Sequence, residues 1–197
     1  MLKNKGHKID IIDVGGGLGV KYKENETPID VKKYGKLLSE KLGELGCKVI
    51  IEPGRFLTAN AGILVTKILH IKKSDIKNFV IVDAGMNDFI RPTLYGAHHN
   101  IIPLKEPGKL ENIKCDIVGP VCETGDFFAK DIELQDINED DFLAICSTGA
   151  YGSVQSSNYN TRASIDELLI NKGEYEIIRK RINEDIIIDK DIISKWV

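Results

Sequence analysis

A thiol stands beside a carboxylate in a rigid loop braced by proline and glycine, a pairing common by chance but able to do chemistry: Gly119-Pro120-Val121-Cys122-Glu123-Thr124-Gly125-Asp126. A thiol can hand over a proton or act as a thiolate, and a carboxylate beside it can hold a cationic group. The same pair also arises where a buried cysteine is simply inert. Upstream, Asp83-Ala84-Gly85-Met86-Asn87-Asp88-Phe89-Ile90-Arg91-Pro92-Thr93-Leu94-Tyr95-Gly96 sets Arg91 and Tyr95 in a proline- and glycine-bearing segment. That segment reads either as a structured turn or as a site for a carboxylate, which the guanidinium fork matches. Downstream, Gly149-Ala150-Tyr151-Gly152 and Ser156-Ser157-Asn158-Tyr159-Asn160 form a dense small-polar loop, with Tyr151 a ligand contact or a packing residue.

Nearer the N-terminus, Gly15-Gly16-Gly17 follows a short apolar run. Backbone N–H groups in such a loop can converge on an anion, although a glycine triplet also makes an ordinary tight turn. The spacing is not G-x-G-x-x-G and no acidic ribose ligand follows, which argues against a dinucleotide fold. Glu52-Pro53-Gly54-Arg55 closes the next apolar run. Two successive glycine-bearing loops at strand ends match the phosphate site of a TIM barrel; Arg55 taken alone reads equally well as a surface ion pair.

The elements that must position these groups fall into two patterns. Residues 9–14 and 49–51 read as buried parallel strands, with a helix between them. Thr27 is the expected cap, Pro28 lies in the first turn, and Asp30 stands three residues after Thr27. Val31, Tyr34, Leu37, Leu38, Leu42 and Leu45 recur at helical spacing, and Gly46 is the stop. From about Ala59 short strands take over, at residues 63–71, 78–83, 114–118, 142–146 and 174–179, with a short helix at 183–189. The expectation is an α/β unit over residues 1–58, then an antiparallel β-domain, sandwich or barrel, over residues 59–197.

Composition excludes several classes of function. The net charge of −3 gives no electrostatic case for nucleic acid or a membrane surface. No apolar run approaches the roughly 20 residues of a membrane helix, and the polar N-terminus lacks a signal peptide's apolar core. Cys47, Cys115, Cys122 and Cys146 are scattered, without zinc-like spacing, so no metal is expected. Free thiols in a reducing cytoplasm are the default.

Taken together in this order, these segments resemble the later signatures of the diaminopimelate decarboxylases, members of the fold-type III pyridoxal-phosphate-dependent amino-acid decarboxylases. The signatures are the glycine triplet, E-P-G-R, D-A-G-M-N-D-x-I-R-P-x-L-Y, G-P-V-C-E-x-G-D and G-A-Y-G-x-x-x-S-S-N-Y-N-x-R. The related ornithine and arginine decarboxylases share the first two, but have Cys-Asp where this chain has Cys122-Glu123 and lack I-R-P-x-L-Y. Ser147-Thr148 departs mildly from the family, where an acidic residue is frequent before Gly149.

The resemblance implies that residues 1–58 are the last part of a TIM barrel that binds pyridoxal 5'-phosphate. Gly15, Gly16, Gly17 and Gly54 would hold the cofactor's phosphate through backbone amides, Pro53 would also lie at the cofactor, and Glu52 would pair with its pyridine nitrogen. Arg55, Arg91, Tyr95, Glu123 and Tyr151 would meet the substrate, meso-2,6-diaminopimelate, with Arg55 and Tyr151 also at the cofactor. Cys122 would protonate the α-carbon after carbon dioxide leaves, giving L-lysine. A homodimer with shared sites is implied, because in this family the Cys-Glu loop serves the neighbouring subunit. The family's cofactor lysine lies in a Y-A-x-K-A-N-like strand near the start of the barrel, and this sequence contains no such segment. The expectation is therefore a C-terminal portion, inactive alone, arising as a truncation, a gene fragment or the partner of a separate N-terminal chain. The alternatives are a non-catalytic or regulatory relative, or a decarboxylase of another basic amino acid; joint retention of Cys122, Glu123, Arg55, Arg91 and Tyr151 argues against a bare scaffold.

Overall fold

The computed structural model describes residues 5–23, 25–106, 108 and 111–196. The polar N-terminal residues 1–4 read in the sequence lie outside the described residues.

Strands β1 (Ile11–Asp13) and β2 (Lys48–Ile50) pair in parallel, with Ile12 opposite Val49, and helix α1 (Val31–Leu42) makes the crossover. The cap is Asp30 rather than Thr27, its Oδ1 accepting the Lys33 N–H at 2.9 Å. An N-cap must sit immediately before the first helical residue for its short side chain to reach the third amide of the helix. Pro28 accordingly precedes the helix. A 3₁₀ turn (Gly43–Leu45) follows α1, and Gly46 ends it at φ 58, the left-handed value that glycine adopts without strain. Burial departs from expectation. No residue of β1, α1 or β2 is buried, and Ile11 is 55% exposed. A two-stranded sheet with one helix has too few partners among the described residues to cover both faces.

Helix α2 (Gly54–Thr58) and a 3₁₀ turn (Ala59–Ala61) lead into the main sheet. Its strands are β3 (Leu64–Lys72), β4 (Asn78–Val82), β5 (Ile101–Pro103), β6 (Asn112–Val118), β7 (Phe127–Gln135) and β8 (Phe142–Ile145), in the order β5-β8-β3-β4-β6-β7. The end strands β5 and β7 approach one another, so the sheet is nearly closed like a barrel. Closure makes one interior, filled by Ile68, Val80, Val82, Phe89, Ile117, Phe128, Leu143 and Ile145. Period-two burial of Leu64, Thr66 and Ile68 points one face of β3 into it.

One pairing breaks the antiparallel rule: β4 and β6 run parallel, with Val80 opposite Ile117. After β4 the chain passes through helix α3 (Arg91–Tyr95), adds β5 at the far edge beside β8, and only then returns as β6. Strands β5 and β7 of the sheet, like a later strand at Glu167–Asn171, were not anticipated. The first is three residues ending in proline, and the second alternates around Lys130 and Asp131 with only Phe128 and Leu134 buried. Beyond the sheet, β9 (Glu167–Asn171) and β10 (Glu174–Arg179) form a hairpin, followed by α4 (Glu184–Ile188). Lys172 and Gly173 turn the hairpin at φ 50 and 88, the two left-handed positions of a tight hairpin turn.

Candidate functional site

The loops after β1 and β2 are built against each other. The Glu52 N–H donates to the Gly15 carbonyl at 2.8 Å, and the Gly15 N–H to Asp13 Oδ1 at 2.8 Å. Gly15 and Gly17 hold φ of 72 and 84. A Cβ at Gly16 would stand 2.5 Å from the Glu52 carbonyl oxygen, so only glycine lets the loops approach this closely. The Gly16 and Gly17 amides make no hydrogen bond among the described residues, whereas the Gly54 N–H turns back onto the Glu52 carbonyl at 2.9 Å. Pro53 precedes α2 and Arg55 lies in it, half-buried, while Glu52 is exposed. No side-chain hydrogen bond or ion pair engages Glu52 or Arg55 among the described residues.

Arg91 opens α3 and is 7% exposed. Its guanidinium carbon lies 5.7 Å from the Tyr22 ring centre and 5.5 Å from that of Tyr151. It pairs with no carboxylate among the described residues, and its Nε is buried without a hydrogen bond. Ring faces offset part of the cost of burying a cation, by about 2 kcal/mol when desolvated. A buried charge is otherwise matched by an opposite one. Tyr151 sits at φ 59 in the loop after β8 and is half-exposed, as is Tyr95 at the end of α3.

Two members of this cluster escaped the sequence reading. Tyr22 comes from the segment beyond the glycine loop and so joins the βαβ unit to the sheet domain. His99 is fully buried, edge-on to Phe89 at 4.7 Å and to Tyr22 at 5.0 Å between ring centres. Its Nδ1 lies 2.9 Å from the Cys146 carbonyl, so Nδ1 carries the proton and donates it. Burial pushes its pKa down to about 4, against the opposing pull of that carbonyl, and the ring is neutral at pH 7. The available signal was positional: Tyr22 closely follows the glycine loop, and His99 the I-R-P-x-L-Y segment.

The Cys-Glu loop stands beside α3. Cys122 and Glu123 are both exposed, and the Glu123 carboxylate accepts the Gly125 N–H at 3.0 Å. The Thr93 hydroxyl of α3 donates to the Gly125 carbonyl. No hydrogen bond or ion pair among the described residues joins Cys122 or Glu123 to Arg55, Arg91, Tyr95 or Tyr151.

Behind both loops runs a buried polar shelf. Arg162, the last residue of the small-polar signature, donates from Nε to Asn87 Oδ1 at 2.9 Å and from Nη2 to the Asp83 carbonyl at 2.7 Å. Asp88 accepts the Gly85 N–H at 2.8 Å, and burial raises its pKa against that bond and the Arg162 charge. Asn87, Asp88 and Arg162 belonged to recognised signatures without an assigned role. Their work is to fold the D-A-G-M-N-D turn onto the S-S-N-Y-N loop.

The family model for the C-terminal sheet domain of pyridoxal-dependent decarboxylases matches residues 11–149. The chain belongs to this family of pyridoxal-dependent decarboxylases. Among the chain's relatives, the diaminopimelate decarboxylase of Aquifex aeolicus is 44% identical over 97% of the chain and 45% of its own length. A solved diaminopimelate decarboxylase from Helicobacter pylori, complexed with L-lysine, superposes with a TM-score of 0.88 at 42% identity, over 95% of this chain and 46% of that one. Its counterpart from M. jannaschii, also with L-lysine, gives 0.93 at 36% identity over 99% and 46%. The chain thus spans about half the length of the relatives it matches. The family's cofactor is pyridoxal phosphate, and the glycine loop suits its phosphate: the Gly16 and Gly17 amides make no hydrogen bond among the described residues, and no side chain stands over them at Gly15, Gly16 or Gly17.

Proposed function

We propose that this chain provides the β-domain, and the last strands of a TIM barrel, of an enzyme that decarboxylates meso-2,6-diaminopimelate to L-lysine. The observation that carries this reading is Arg91, a buried guanidinium between two tyrosine rings with no carboxylate of its own. Such a cation is supplied with its counter-charge by a ligand. The substrate has a carboxylate at each end, and the two lysine-bound relatives favour an amino acid with a basic terminus.

Gly16 and Gly17 would hold the cofactor phosphate through their amides, with Gly15, Pro53 and Gly54 shaping the cofactor site around them, and Glu52 would meet the ring nitrogen. When bound, pyridoxal phosphate supplies an electron sink for the electron pair left behind by departing carbon dioxide. Arg55, Arg91 and Tyr95 take the distal carboxylate end of the substrate, and Glu123 its ammonium group. Tyr151 packs over the bound molecule and keeps the Arg91 guanidinium desolvated. The Cys122 thiol gives its proton to the α-carbon, and solvent restores it. Cys122 and Glu123 stand exposed on their own loop. We take them to complete the site of a second copy in a homodimer, with the remaining barrel strands on the same polypeptide or a separate N-terminal chain.

The test is reconstitution. The 197-residue chain, combined with the N-terminal portion of the Aquifex aeolicus relative and pyridoxal phosphate, should release L-lysine from meso-diaminopimelate; the chain alone should not. In that assembly Cys122→Ala should lower kcat by about 10²–10⁴-fold with KM little changed, because a proton donor acts after binding. Unchanged turnover would remove the thiol from the mechanism. Failure of every reconstituted pair to make lysine would remove the function.

A further inference from the structure

Asp126 closes the Cys-Glu loop and is 4% exposed. Each of its carboxylate oxygens takes one backbone N–H, Oδ1 from Met86 at 2.7 Å and Oδ2 from Val121 at 2.6 Å. The two donors belong to different segments: Met86 lies in the turn after β4, and Val121 immediately precedes Cys122. The Asp126 backbone ties the loop to itself, donating to the Glu123 carbonyl at 3.0 Å and accepting the Gly119 N–H at 3.0 Å.

Glycines make room for this arrangement. A Cβ at Gly119 would lie 2.4 and 2.5 Å from the two carboxylate oxygens. One at Gly85 would lie 2.7 Å from Asn87 Oδ1 and 3.0 Å from Val121 Cγ2. No cation pairs with Asp126 among the described residues. An unpaired buried carboxylate is costly, and two amide donors return only part of that cost. A serine or asparagine on an ordinary surface turn would avoid the expense. The carboxylate gives this place one feature that they lack, two strong acceptors on a single rigid group, one for each segment.

We propose that Asp126 is a positioning residue, whose carboxylate clasps the loop bearing Cys122 and Glu123 to the turn at Met86 and so sets where those two side chains stand. The inference rests on reading Cys122 and Glu123 as site groups. Through Met86 the loop is referenced to the Asn87–Asp88–Arg162 shelf, and through Thr93 to the helix that starts at Arg91. The clasp needs both oxygens unprotonated, since a proton on either removes one acceptor.

The test uses the isotope-labelled 197-residue chain, without cofactor or substrate. Arg162 and Glu123 are the charged groups that act on Asp126. Glu123→Gln therefore removes the neighbouring carboxylate from the readout, and the Gly85 amide reports Asp88 separately. On acidification, the Asp126 carboxyl carbon and the Val121, Met86 and Cys122 amides should shift with one shared midpoint. Asp126→Asn, which keeps the shape, should speed amide exchange at Val121 and Met86 at least tenfold while Val80 and Ile117 stay unchanged. Separate midpoints, or a static Cys122, would overturn the clasp. So would exchange that quickens equally in the β-core of Asp126→Asn, the mark of a residue that only stabilises the fold. Should Asp126→Asn not fold, the titration of the wild-type chain decides alone. Neither measurement involves catalysis, so the clasp can fail while Cys122→Ala still lowers turnover, and the converse.

Discussion

The Arg91 guanidinium carbon lies 5.5 Å from the centre of the Tyr151 ring, a buried cation under a half-exposed aromatic face. On the proposed reading, a substrate carboxylate supplies the counter-charge that this guanidinium lacks among the described residues. Arg91→Ala in the reconstituted enzyme should therefore raise KM strongly, because a lost charged hydrogen bond costs roughly 1.5–3 kcal/mol. Tyr151→Leu, which keeps bulk but not the ring quadrupole, should raise it less. Steady-state kinetics check both, and an Arg91→Ala enzyme with unchanged KM would move the carboxylate site elsewhere.

Stability should divide along the chain. No residue of β1, α1 or β2 is buried, whereas Ile68, Val80, Leu143 and Ile145 of the main sheet are fully enclosed. Opening free energies follow buried apolar contact. Hydrogen exchange of the chain alone should be fast from Ile11 to Ile50 and slow in β3, β4 and β8. Equal protection in both regions would mean that the βαβ unit is covered in solution.

His99 should give the chain a distinct acid sensitivity. Its folded pKa is depressed from 6.5 to about 4, so above pH 6.5 the ring is neutral in both the folded and unfolded states and nothing is lost. As pH falls from 6.5 toward 4 the unfolded chain takes up a proton that the folded chain refuses, and stability drops by about 3 kcal/mol. Urea denaturation at pH 7, 5.5 and 4.5 should show this drop in wild type and a smaller one in His99→Gln. A nitrogen-15 spectrum should show Nδ1 protonated at pH 7, as its bond to the Cys146 carbonyl requires.

Local rules, by themselves, determined much of this protein. The β-branched runs, the helical period of Val31 to Leu42 and the left-handed stop at Gly46 depend on near neighbours, and each stands where residue type placed it. So did the family, because its signatures are chemical groups held at short spacings. Longer distances decided the rest. Asp30 took the cap from Thr27 because the helix began later than the local pattern implied. Three-residue β5 exists only because β8 offers it an edge, and its insertion makes β6 return parallel to β4. Tyr22 and Arg91 are remote in the chain, and nothing in either segment announces the other; only the folded chain sets one against the other. Asp126 likewise read as the tail of a signature until Met86 and Val121 were seen to share its two oxygens. Spacing along a chain reports what lies within a few residues. Which carboxylate is buried, and which cation lacks one, depends on what the rest of the chain packs against it.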